Sequence, residues 1–362
     1  MKNTFGNNLS VTLFGESHGD KIGAVLDGIA PGIKIDLEYI KTKMALRKSI
    51  SNLSTKRRED DEVQIVSGVF NGYTTGTPIC VLVDNKDTKS ADYNDLKNVP
   101  RPSHADFTAE CKYNGFQDYR GGGHFSGRLT APLVAVGAIV MMALENKGIH
   151  IGTHIKNIHG VLDRDFIDIK NDIATLSNKD FAVLDIDAQS KMIDEITKAK
   201  EDGDSVGGVL ETAVIGVPSG VGEPWFDSVE SILSHLLFSI PAVKGVEFGL
   251  GFNFADELGS SVNDQFVLDG DAIKTKTNNN GGLNGGITNG MPIVIKTAIK
   301  PTPSIYKNQS SVNLKTNEEV DLQIKGRHDP AIIHRARVVV DSMVAIGIAD
   351  LLTTKYGTDF LA

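Results

Sequence analysis

The chain has 362 residues, 40% apolar and 23% charged, a balance that excludes a disordered or low-complexity protein and leaves enough apolar surface for a sizeable core. Its net charge of −9 argues against nucleic-acid and membrane-surface partners, which need net basic faces, but not against an anionic substrate, since a local arginine cluster suffices for that. Cys80 and Cys111 form no CxxC pair and read as reduced thiols, and the N-terminal MKNTFGNNLSVTLFGESHG lacks the apolar stretch of a signal peptide, so a soluble, cytoplasmic protein is expected.

In chain order, 9–14 and 22–29 read as strands, the second closed by the turn Ala30-Pro31-Gly32. Helical spacing follows over 36–47, with Asp36 as N-cap. Residues 63–70 and 77–83 are strand-like. Residues 130–147 carry the strongest helical pattern, with Pro132 near the first turn and Gly148 past the end; its apolar run, 131–144, is shorter than the roughly 20 residues of a membrane span and reads as a buried helix.

The segment 163–204 is rich in Asp and Lys; Met192, Ile193 and Ile196 mark one apolar stripe on a helix that its charged neighbours suggest is largely exposed. Residues 206–217 read as a strand, 228–238 as a helix, 291–300 as a strand and 331–352 as a long apolar helix. A weak internal echo links IGAVLD at 22–27 with VGGVLE at 206–211, each followed by a Pro/Gly turn and a helix; a duplicated fold and chance fit it equally well. No Pro/Ser-rich linker divides the chain, so one domain spanning 1–362 is expected.

Five polar constellations could carry chemistry. Gly15-Glu16-Ser17-His18-Gly19 follows a strand, so His18 can project from a turn and act as a proton donor near neutral pH, although an incidental surface histidine fits as well. Arg101-Pro102-Ser103-His104-Ala105-Asp106 offers Arg101 and His104 to one anion; by itself it reads more readily as a helix start capped by Ser103 or Asp106.

Arg120-Gly121-Gly122-Gly123-His124-Phe125-Ser126-Gly127-Arg128 precedes the strong helix and unites glycines, a hydroxyl and guanidinium forks, the parts that bind phosphate at a helix N-terminus. Asn278-Asn279-Asn280-Gly281-Gly282 with Gly285-Gly286 suits either a flat hydrogen-bonding ligand or an irregular loop. Gly326-Arg327-His328-Asp329-Pro330 sets a base candidate, Asp329, before the last helix, where a local salt bridge and N-cap is the rival reading.

Taken together and in this order, GESHG, RPSHAD, RGGGHFSGR, the NNNGG tract, KPTPS and GRHDP span residues 15–330 and resemble the chorismate synthase family over nearly the whole chain. The resemblance implies an α/β (α+β) sandwich with a helical layer between antiparallel sheets, assembled as a homotetramer. It implies a 1,4-anti elimination of phosphate from 5-enolpyruvylshikimate-3-phosphate, dependent on reduced FMN without net redox change, in which the flavin lends electron density and takes the C6 proton at N5.

Carried over by motif, His18 would serve the leaving phosphate, His104 the flavin N1 side, and Asp329 the removal of the proton. Arg47, Arg101, Arg128 and Arg327 would hold the substrate's anionic groups. Flavin contacts would come from His124, Phe125, Ser126, Pro241, Ala242, Gly285, Lys300, Pro301, Thr302, Pro303, Ser304 and Arg327, and Arg47 also matches a position assigned to NADPH, which the resemblance admits as reductant.

Asn52, His124 and Pro241 depart from the family pattern, which often has arginine at the first two positions and asparagine at the third; at Asn52 one anion contact is either missing or supplied by Lys56 or Arg57. Rival readings are another FMN-dependent enzyme for an anionic substrate, and a non-catalytic flavin- or phosphate-binding protein. The spread of His18, His104 and Asp329 favours catalysis over mere binding, which needs no such set of titratable groups.

Overall fold

A computed structural model describes residues 2–48, 61–86, 97–177, 179–324 and 328–362. The first half of the chain builds an antiparallel sheet from β1 (Thr4–Phe5), β2 (Ser10–Gly15), β3 (Lys21–Asp27), β4 (Val63–Ile65) and β7 (Ile79–Asp84), in the order β1-β2-β3-β7-β4; β5 (Val69–Phe70) and β6 (Tyr73–Thr74) form a separate hairpin beside it. Helix α1 (Leu37–Ala45) follows β3, capped by the Asp36 carboxylate, which accepts from the amides of Glu38 and Tyr39. Helix α2 (Asp106–Tyr113) precedes α3 (Thr130–Asn146).

The second half builds the other sheet. Strands β8 (His150–Ile158), β9 (Val161–Leu162), β10 (Gly208–Ile215), β11 (Val243–Phe248) and β16 (Ile293–Ile299) pair antiparallel in the order β11-β16-β10-β8-β9. Three hairpins decorate it: β12 (Phe266–Asp269) with β13 (Ala272–Thr275), β14 (Leu283–Asn284) with β15 (Ile287–Thr288), and β17 (Gln309–Asn313) with β18 (Glu318–Leu322). Its helices are α4 (Ile169–Leu176), α5 (Ile186–Glu201), α6 (Val229–Ser239), the single turn α7 (Gly259–Val262) and α8 (Ile333–Tyr356).

Helix α3 packs on β3 and β7, α8 packs on β8 and β10, and the two helices pack on each other, so a helical layer separates two antiparallel sheets, as the resemblance implied. One continuous apolar cluster runs through both sheets and this layer. All of α3 from Thr130 to Leu144 is buried except Leu133, which explains its nearly unbroken apolar sequence: it is covered on every side by protein.

The halves repeat. Strand order β2-β3-β7-β4 matches β8-β10-β16-β11, α1 and α6 follow the equivalent strands β3 and β10, and α3 and α8 end each half. A side-chain clamp repeats with them. Thr74 Oγ1 accepts from the Ile33 amide at 2.9 Å and donates to the Ala30 carbonyl at 2.7 Å; Thr288 Oγ1 accepts from the Val221 amide at 2.9 Å and donates to the Pro218 carbonyl at 2.6 Å. The echo between 22–27 and 206–211 therefore marks a duplicated topology.

One sequence expectation changes. The stretch 63–70 is not one strand: it divides at Ser67-Gly68, where Gly68 takes φ +79° and its missing side chain lets the backbone lie against Ile79. The stripe in 163–204 is as the sequence reads: α5 buries Met192 and Ile196 and half-buries Ile193 while its charged face stays out, and α4, which the sequence reading did not place, covers Gly152 of β8 with Ile173.

Candidate active site

Strand β2 ends at Gly15 and delivers the turn 16–19, with Ser17 and His18 both buried. Asn85, just past β7, holds that turn: its Nδ2 donates to the carbonyls of Glu16 at 3.0 Å and Gly19 at 2.7 Å. The same side chain accepts from Arg128 Nε through Oδ1 at 3.0 Å, so one amide joins the histidine turn to an arginine of the third constellation.

The loop 120–125 lies directly on this turn. The Ser17 amide donates to the Gly123 carbonyl at 3.1 Å, and His124 Nδ1 bonds the Gly15 carbonyl at 2.8 Å. Gly121, Gly122 and Gly123 have φ of +59°, +84° and +53°, values that L side chains rarely adopt. At Gly121 space demands glycine as well, since a Cβ there would stand 2.2 Å from His18 Cε1; Gly122 lies against His104, where a Cβ would meet Cε1 at an ordinary contact of 3.4 Å. The glycine run thus lets backbone pass between the two histidines.

Before α2, Arg101, His104 and Asp106 form a closed group. Arg101 donates from Nε and Nη2 to the two Asp106 oxygens, each at 2.8 Å, and His104 Nδ1 lies 2.6 Å from Asp106 Oδ1. With the carboxylate accepting, Nδ1 carries the hydrogen, so Nε2 is the nitrogen left to face Gly122. Burial works against the Asp106 carboxylate, but the hydrogen bonds from Arg101 and His104 outweigh it and hold its pKa well below the usual range. Neither Ser103 nor Asp106 caps α2: the cap position is Ala105, without a side-chain bond, and Ser103 sits at φ +58°.

Arg47, just past α1, and Arg128, just before α3, converge on one carboxylate, Asp61. Arg47 Nη1 donates to Asp61 Oδ2 at 2.6 Å and Arg128 Nη1 donates to Oδ1. Burial lowers the Arg47 pKa to about 10, with Asp61 opposing and Arg128 and Arg335 adding to the shift. Arg335, in the first turn of α8, donates to Asp329. The N-cap of α8 is Ile332, without a side-chain bond, so Asp329 does not cap the helix; it forms the local salt bridge instead, with a residue that no motif singled out.

The segment 300–304 joins from the second half. Lys300 Nζ donates to the Ser103 carbonyl at 2.5 Å, and its amide donates to the carbonyl of Ala242, a residue at φ +75°. Burial and the neighbouring Lys244 lower the Lys300 pKa. The Thr302 hydroxyl is buried without a hydrogen-bond partner among the described residues, Ser304 is buried, and Tyr306 tilts against His328, whose pKa burial lowers. A shallow, open cleft lies beside His104, lined in part by Arg101, Tyr119, Gly122, Phe125 and Leu314.

The family model of chorismate synthase matches residues 9–353. The chain belongs to the chorismate synthase family. Chorismate synthases of Thermococcus gammatolerans and Pyrococcus abyssi are each 49% identical to it, covering 97% and 96% of both chains, and that of Dehalococcoides mccartyi is 45% identical over 97% of this chain and 96% of the relative. A chorismate synthase crystal structure superposes with a TM-score of 0.75 at 29% identity, covering 98% of this chain and 94% of that one. The activity is a lyase reaction of the shikimate pathway, the elimination of phosphate from 5-enolpyruvylshikimate-3-phosphate to give chorismate.

Most of the residues that the chorismate synthase motifs single out meet in the group above: His18, Arg47, Arg101, His104, Phe125, Arg128, Ala242, Lys300 and Asp329. Pro241 precedes Ala242 in the turn before β11, and Pro301 and Pro303 lie on the same strand exit as Lys300. Ser126 Oγ accepts from the Arg128 amide at 3.3 Å and so caps the turn into α3. Gly285 is placed elsewhere, in the β14–β15 turn, which packs on Glu223 and Ser228. The Asn tract is an ordered turn, with the Asp264 carboxylate accepting from the amides of Asn279 and Asn280 at 2.8 Å each. Arg327, Asn52, Lys56 and Arg57 lie outside the described residues.

Proposed function

We propose that this chorismate synthase works with reduced FMN held in the cleft beside His104, and that His18, His104 and Asp329 handle its protons. The supporting observation is the glycine turn that packs backbone against His18 on one side and His104 on the other. An anionic cofactor fits the residues nearby: the mutually repelling Lys244 and Lys300, the orphaned Thr302 hydroxyl, and His104 with Nε2 left to a ligand. Phe125, Ser126, Pro241, Ala242, Lys300–Ser304 and Arg327 would complete its seat; His124 helps by bracing the loop on Gly15. When bound, reduced FMN supplies electron density to the substrate ring and an acceptor for the C6 proton.

The protein's part is positioning and proton control. Arg47, Arg101, Arg128 and Arg327 hold the phosphate and carboxylates of the substrate, and guanidinium forks fix orientation as well as charge. His18 protonates, or stabilises the charge of, the departing phosphate. Asp329, oriented by Arg335, assists removal of the C6 proton. His104, steadied by Asp106, supports the anionic reduced cofactor.

The chain functions on this reading as one domain in a cytoplasmic homotetramer, with NADPH as a candidate reductant and no nucleic-acid or membrane partner. The exposed Trp225, Phe226, Phe266, Leu268 and Ile273 support self-association. The experiment is direct: supply the enolpyruvyl substrate and FMN without oxygen, reduce with dithionite, and follow chorismate absorbance and free phosphate. Both should appear together with the flavin remaining reduced. Turnover without added flavin, or product matched by stoichiometric flavin oxidation, would refute the cofactor role.

A further inference from the structure

Asp61 belongs to none of the motifs, yet it sits between the two guanidiniums assigned to the substrate's anions, with its side chain 9% exposed. Other nitrogens of the pair donate to uncharged oxygens: Arg47 Nη2 to Thr130 Oγ1 at 3.1 Å, and Arg128 Nη2 to the Asp84 carbonyl at 3.0 Å. Each arginine is thereby braced by the protein on one side, while its Nη1 points at the shared carboxylate.

Two buried like charges this close need a counter-ion when no substrate is bound, and a carboxylate spanning two guanidiniums offers them what a phosphate or carboxylate of the substrate would offer. We propose that Asp61 is the built-in counter-ion of the substrate site: in the ligand-free chain it fills the seat between Arg47 and Arg128 that one anionic group of the substrate takes, and binding requires that group to displace it from at least one guanidinium. The proposal rests on the reading of Arg47 and Arg128 as substrate contacts.

Asp61 then acts on binding through the arginines, as an internal competitor for their Nη1 donors. It also acts as a filter. Affinity at this seat is the difference between two similar anion contacts, so a lone monoanion gains little by entering, whereas a ligand that anchors its other charges elsewhere can displace the carboxylate.

The test measures binding of 5-enolpyruvylshikimate-3-phosphate and of inorganic phosphate to the full chain with FMN by calorimetry, alongside KM and kcat. Asp61→Asn is expected to tighten both ligands about ten-fold, the scale of one charge-assisted hydrogen bond no longer competed for, and to lower KM without raising kcat. A purely structural Asp61 would give unchanged or weaker binding in that variant, and either result overturns the proposal. Arg128→Gln separates the premise: if it leaves substrate affinity unchanged, the assignment of the arginine itself fails. Should Asp61→Asn not fold, Asp61→Glu carries the test, because it pushes the same charge further into the seat. About ten-fold weaker substrate binding is then expected, and unchanged or tighter binding overturns the proposal.

Discussion

The two residues closest to the proposed proton chemistry are held by different means. His18 is buried in a turn pinned by Asn85 and by the Gly123 carbonyl, whereas Asp329 is oriented by Arg335. Truncating either should leave the core intact, since neither belongs to the apolar cluster. His18→Ala and Asp329→Ala are each expected to fold with a wild-type circular dichroism spectrum and to lose about a hundred- to ten-thousand-fold in kcat, measured by phosphate release; wild-type rates would refute these roles. The histidines and Asp329 were legible in the sequence because each stands in a glycine-, proline- or serine-marked turn. Asn85, Asp61 and Arg335 were not, because no local pattern surrounds them. Asn85 meets Arg128 across 43 positions and Asp61 meets it across 67, and only the folded chain shows such partners.

Elements with a long, strongly biased pattern were legible: α3, α8 and the capped start of α1 follow from apolar density and from Asp36. The break at Gly68 was not, since it depends on what packs against it. The glycine turn carries a feature its composition does not show, backbone lying against both His18 and His104. Gly121→Ala, with φ +59° and a Cβ driven into His18, is expected to cost most of the activity but only about 1–3 kcal/mol of stability in urea. Gly127→Ala, with nothing within 4 Å of the added Cβ, should change neither measurably.

The 163–204 excursion gains a structural role from His154 of β8. Its Nδ1 lies 2.7 Å from Asp163 and its Nε2 2.9 Å from Glu211 of β10, all three buried, while Asp163 also accepts from the amides of Leu184 and Asp185. Burial opposes charge on this imidazole, but the two carboxylates outweigh it and raise its pKa. A raised folded-state pKa gives stability that is complete below the unfolded value of about 6.5 and is lost as pH rises through the folded value. The stability gap between wild type and His154→Gln, about 3–5 kcal/mol for breaking a buried ion pair, should therefore be widest near pH 6 and narrower at pH 9 by urea unfolding. A gap that widens with pH would contradict a charged His154.

At the scale of the whole molecule, the duplicated halves meet through α3 and α8, and the proposed active site draws on both: His18, Arg47 and Arg128 come from the first, Lys300, Asp329 and Arg335 from the second. Anything that separates the helices should loosen the site and both sheets together. The two helices approach closely at Gly137 of α3, where an added Cβ would stand 2.3 Å from Ser342 Cβ and 2.8 Å from its Cα. These contacts are to the packed backbone and short side chain of the facing helix, so rotamer changes cannot relieve them, and repacking must move α8 itself. Overpacking a well-filled core typically costs about 1–3 kcal/mol; with two branches added at a helix contact, Gly137→Val is expected at or above the upper end, near 3 kcal/mol. Because one apolar cluster links the two sheets, that loss should appear as a lower urea midpoint in a single transition, with far- and near-ultraviolet circular dichroism changing together. Two resolved transitions in the wild type would mean that the halves fold as separate units, and a variant as stable as the wild type would mean that the helix contact does not join them.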